Sequence, residues 1–179
     1  MTEGFAWRVP VTVSDLPPDG KEFELVPDES AREELARQAG VLAVPKLVAR
    51  LNVRPEGRAG AAVDGTLEAT VRQMCVVSLE PFDNPVKETI SLRFASPETL
   101  PVDTVPVVEV GGEDPPEPLF DGKLDLATVI GEFLTLSVDP YPRRPGAVFA
   151  PPGEDSADKE TSAFAALTKL KLDKNVKKQ

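Results

Sequence analysis

Three consecutive runs of alternating residues between positions 46 and 94 constrain this chain more than any other feature. In the first, Leu47, Ala49, Leu51 and Val53 share one face, with Lys46, Arg50, Asn52 and Arg54 on the other, interrupted only by Val48. In the second, Val63, Leu67, Ala69 and Val71 alternate with Asp64, Thr66, Glu68, Thr70 and Arg72. In the third, Val86, Ile90, Leu92 and Phe94 alternate with Lys87, Thr89, Ser91 and Arg93. A period of two is the mark of a strand with one face buried and one wet. The turn at Pro55–Gly60 and the other short connection are too brief for crossovers, so an antiparallel meander is predicted.

The flanks supply the rest of an α+β fold. Phe5, Trp7, Val9, Val11 and Val13 alternate as a first strand, which Pro10 places at an edge. Pro17-Pro18-Asp19-Gly20 reads as a turn into a strand carrying Phe23 and Leu25. Asp28 or Ser30 caps a helix with Ala31, Leu35 and Ala39 on its apolar face; Ser30 and Glu33 have capping-box spacing, and Gly40 supplies the stop. Asp125 caps a second helix, whose Leu126, Val129, Ile130, Phe133 and Leu134 recur at helical spacing and whose Leu124 is placed to staple onto Val129. Between them, about 96–122, proline and acid predominate, which predicts a mobile linker with room for one strand near Val107.

The expected organisation is one α+β domain over 1–145, with a mainly antiparallel sheet and two main helices. Whether the sheet curls toward a barrel is left open. A flexible tail over 146–179 follows, with room for a short helix at 162–172. There Phe164 and Leu167 sit beside Lys169 and Lys171.

Composition then narrows the chemistry. The chain has no histidine, one cysteine and a formal net charge of −10. Without imidazole there is no usual general base near neutral pH, no Ser-His or Cys-His pair and no histidine metal ligand. Cys75 alone cannot make an internal disulfide or a zinc site, and an idle or packed thiol is favoured over a nucleophile. The acid-rich stretch 109–125 lacks the spacing of a calcium loop, and the glycines match no phosphate-binding loop. Pairs such as Glu33 with Glu34 read as surface charge. The negative charge opposes broad nucleic-acid binding, so RNA contact is expected only through the basic tail. No stretch is long and apolar enough to span a bilayer, and the start carries no signal-peptide pattern, so a cytoplasmic location is expected. No catalytic residue, cofactor or metal is assigned, and no small-molecule substrate is evident.

The order of features carries a resemblance. A strand-turn-strand start leads to a meander containing Met74-Cys75-Val76-Val77-Ser78-Leu79-Glu80-Pro81. An acidic linker, the Leu124-Asp125-Leu126 helix and Phe164-Ala165-Ala166-Leu167 before a basic end come after it. In this the chain resembles the YceD-like large ribosomal RNA subunit accumulation proteins. Cys75, Ser78, Leu79, Pro81 and Asp125 are the positions that match the family pattern. Many relatives have a second cysteine where Ser78 stands, and further cysteines where this chain reads Pro140-Tyr141-Pro142-Arg143-Arg144, so no metal or thiol role is carried over.

The resemblance implies a non-enzymatic factor needed for large-subunit ribosomal RNA to accumulate. Its expected partner is a ribosomal protein, a nuclease or a pre-ribosomal particle, with Phe164, Leu167, Lys169, Lys171, Arg143 and Arg144 as the candidate contacts. Two alternatives remain: an acidic chaperone for a basic ribosomal protein, and a carboxylate-and-metal hydrolase or nuclease with Asp121 and Asp125 as ligands.

Overall fold

A computed structural model describes residues 7–57, 59–99 and 115–149. The predicted meander is its centre. Strands β3 (Ala43–Glu56), β4 (Gly60–Met74) and β5 (Pro81–Ala95) pair antiparallel. Strand β2 (Lys21–Leu25) adds antiparallel to β3, and the two residues of β6 (Glu117–Pro118) add parallel to β5. The order β2-β3-β4-β5-β6 is open, so the sheet does not close into a barrel. The first strand is shorter than its alternation suggests. Among its described residues only β1 (Pro10–Thr12) pairs, and it pairs with β7 (Lys123–Asp125) in a separate two-stranded ribbon.

Both described α-helices follow their capping signals. Asp28, not Ser30, caps α1 (Glu29–Ala39), accepting a hydrogen bond from the Ala31 amide, and Gly40 takes the left-handed conformation that ends it. Asp125 caps α2 (Leu126–Ser137) through the Ala127 amide, and the same oxygen accepts from the Val9 amide at 2.8 Å. One carboxylate thus starts the helix and ties the N-terminal segment to it. Ile130, Leu134 and Leu126 of α2 are fully buried with Leu35 of α1, against Leu47, Leu51, Leu67, Val71 and Ile90 of the sheet. Full burial of such a side chain is worth about 2 kcal/mol, so this one-sided core is the main source of stability.

The opposite sheet face has no covering element among the described residues and is held by charge. Arg50 pairs with Glu24, Arg54 with Asp64, Lys87 with Glu68, Arg72 with Asp83 and Arg93 with Glu56, each across strands. Gly65, at a core-facing position between Leu51 and Ile90, lets β3 come close: a Cβ there would lie 2.1 Å from the Arg50 carbonyl oxygen. Within the stretch read as linker, Leu119 is buried in the core and the Gly122 carbonyl accepts from the Val13 amide. The strand expected near Val107 lies outside the described residues.

Candidate functional site

The β4–β5 connection is built around the Cys75 sulfur. Cys75 ends the alternation of β4 on its buried phase, so its side chain turns inward at the moment the backbone must reverse. The Val77 and Ser78 amides each donate to Sγ at 3.4 Å. The Leu79 amide donates to the Cys75 carbonyl, and the Cys75 amide to the Glu80 carbonyl, which closes the turn. Leu79 takes a left-handed φ of 55° with no glycine to ease it, and its side chain is 73% exposed. A non-glycine residue held there costs about 1 kcal/mol, so the surrounding bonds must over-determine the turn.

Those bonds come in part from the segment after α2. The buried Gln73 side chain donates to the Asp139 carbonyl at 2.8 Å and accepts from Asn84. The Val76 amide donates to the Pro142 carbonyl, and the Arg144 amide donates to Cys75 Sγ at 3.3 Å. The Arg144 guanidinium pairs with Glu80 at 2.8 Å. Residues 139–144 therefore form a strap across the turn, anchored at Gln73, Val76, Cys75 and Glu80.

These donors lower the Cys75 thiol to a pKa of about 6. The Ser78 hydroxyl beside the sulfur contributes most, then the Ser78 and Arg144 amides, with burial opposing and the Val77 amide adding the least. Ser78 Oγ itself has no formed hydrogen bond, so its share depends on rotating its proton toward the sulfur, and the amide contacts are the firmer cause. A thiolate here is an acceptor for backbone donors. The sulfur is buried, and the neighbours that stabilise its charge are amides and a hydroxyl, not a base.

Of the residues singled out by sequence, Cys75, Ser78, Leu79 and Pro81 lie in or beside this turn, with Arg144 bound to it and Arg143 exposed beside Arg144. Asp125 is elsewhere, at the start of α2. Phe164, Leu167, Lys169 and Lys171 lie outside the described residues. Asp121 and Asp125 belong to no group of three or more potential metal-ligating residues among the described residues. Gln73 escaped notice, although a glutamine on the apolar phase of β4, two positions after Val71, was its signal. Asp139 and Pro142 act through backbone carbonyls and leave no signal at all.

An open, mainly antiparallel sheet backed by two helices, with a sulfur-centred turn strapped by the segment after α2, defines a small α+β protein whose distinctive feature is a turn. The family described as large ribosomal RNA subunit accumulation protein YceD matches residues 63–171, more than half of the chain. The chain belongs to that family. The match begins within β4, so it takes in the Cys75 turn, α2 and the strap. No curated protein and no solved structure matches the chain. No described helix is long and apolar enough to cross a membrane.

Proposed function

We propose that this chain supports accumulation of large-subunit ribosomal RNA as a cytoplasmic, non-enzymatic binding factor. Its partner is a ribosomal protein, a nuclease or a pre-ribosomal particle. The supporting observation is that turn and strap, with Cys75 and Arg144 69 residues apart, are joined by backbone amides that converge on one buried sulfur. A thiol so engaged is a structural centre, and the chain has no histidine to activate it. A net charge of −10 suits basic partners, and long-range attraction of this kind speeds encounter and selects among partners.

The working unit in this reading is residues 1–145. Arg143 and Arg144, with Phe164, Leu167, Lys169 and Lys171 of the tail, take part in contact with a ribonucleoprotein. Cells lacking the protein should show a reduced ratio of large to small ribosomal RNA, restored by the full chain. Nuclease-resistant capture of large-subunit components by the full chain, weakened by truncation before Ser162, is the expected biochemical result. An unchanged RNA ratio, together with no ribosomal component captured, would remove this reading.

A further inference from the structure

Two shallow hollows meet on the molecule's surface at Val41 and Leu42. One, of 530 Å³, runs along α1 and the start of β3 past Glu29, Glu33 and Ala36. The other, of 440 Å³, continues past Met74 and Val76 to Asp139 and Pro142 of the strap. Leu42 is 55% exposed, Met74 44% and Val76 45%, so three large apolar side chains stand half out of the surface along one groove. The backbone beneath them is fixed: the Leu42 amide donates to the Arg72 carbonyl and the Val76 amide to the Pro142 carbonyl. A preformed apolar groove with a rigid floor loses little entropy on binding.

The charges around the groove select its occupant. Glu29, Glu33 and Asp139 have no ion pair among the described residues. Of the two arginines nearby, Arg37 is bound to Glu34, and Arg32, which donates to the neutral Pro27 carbonyl, keeps its single positive charge against the three carboxylates. The free charge on the rim is therefore mainly negative, in a chain whose total is −10. We propose that this groove seats a basic segment of a partner protein. Two or three apolar side chains of the segment insert among Leu42, Met74 and Val76, and its lysines or arginines face Glu29, Glu33 and Asp139. The inference rests on the protein-binding form of the reading above and gives it a surface distinct from the basic tail.

The test uses the full chain with a photoreactive phenylalanine derivative at Leu42, or at Thr89 on the open sheet face as control. The probe is the protein fraction extracted by salt from large ribosomal subunits, with crosslinked peptides identified by mass spectrometry. The expected result is a crosslink from position 42, but not 89, to a lysine- or arginine-rich segment of one protein. Binding of that protein should weaken at least about tenfold in Leu42→Asp/Val76→Asp and stay unchanged in Thr89→Asp. Should the double variant fail to fold, the crosslink from position 42 decides alone. Capture that ignores both the crosslinker position and the double variant overturns the groove and leaves the binding reading standing. A crosslink from position 42 to residues 150–179, or to a second copy of the chain, overturns the assigned occupant. Capture of no large-subunit protein by the full chain overturns the reading and the inference together.

Discussion

The two hairpins of the meander reverse direction in different ways. Between β3 and β4 the chain turns with Gly57 at a φ of 61°, in open space, and the strands on either side carry their own cross-strand ion pair, Arg54 with Asp64. Between β4 and β5 it turns with Leu79 in nearly the same left-handed region, and the turn is completed by Asp139, Pro142 and Arg144. Among the described residues, the first reversal draws no hydrogen bond from outside the meander, and it uses the residue that fits at no steric cost. The second retains strain and depends on residues more than sixty positions away. Strain kept in place by remote bonds marks a surface whose shape is specified, and it falls within the family-matched part of the chain.

The largest expected effect lies in the β3–β4 hairpin. Gly65→Ala forces a Cβ against the Arg50 backbone, which must shift, and should destabilise by about 3 kcal/mol in urea unfolding. Near-native stability in that variant would mean that β3 and β4 separate easily there.

In the strapped hairpin, Cys75→Ala should lower the melting temperature more than Cys75→Ser, because serine still offers an acceptor to the Val77, Ser78 and Arg144 amides. The thiol, ordinarily near 9.0, is held at about 6 when folded. A depressed folded pKa stabilises fully above the unfolded value, and that share is lost as pH falls from 9 through 6. Thiolate absorbance of the folded protein should therefore show a midpoint near 6, and the stability gap between wild type and Cys75→Ser should shrink over the same range. A midpoint near 9 would show that the amides do not hold the sulfur.

Gln73→Ala should cost about 2 kcal/mol by leaving the Asp139 carbonyl and the Asn84 amide without their buried partner. Amide exchange at Val76 should quicken in the same variant if the strap is one unit. The two turns can then be exchanged in kind. Gly57→Ala should cost about 1 kcal/mol, whereas Leu79→Gly should gain about 0.5 kcal/mol, the relief of strain being offset by glycine's greater freedom when unfolded. Equal responses would erase the contrast between the hairpins. Smallest of all, Arg54→Ala should change stability by about 0.5 kcal/mol or less and lose its effect in high salt, since both side chains of its pair are wet.

How much of this was legible depends on where the cause lies. The meander could be read because one face of each strand is buried, and the alternation of Leu47 to Val53 or Leu67 to Val71 records that burial directly. Both helix starts could be read because Asp28 and Asp125 act on their own backbone within three residues. The separation of β1 from the main sheet could not, since alternation reveals a strand's faces and not its neighbour. The strap was invisible for a related reason. Three of its four bonds use a backbone group of the strap itself, and a proline carbonyl serves as well as any other. The groove was hidden because Leu42, Met74 and Val76 look in sequence like ordinary apolar residues flanking strands.

The bond from Arg144 to the Cys75 sulfur also sets an order of events. It joins residues 69 positions apart across β5 and α2, so neither loop-closure entropy nor local contacts favour its forming before α2 has packed. Because the chain has a single cysteine, thiol protection during refolding should report when turn and strap have both closed over that sulfur, readable without any introduced label.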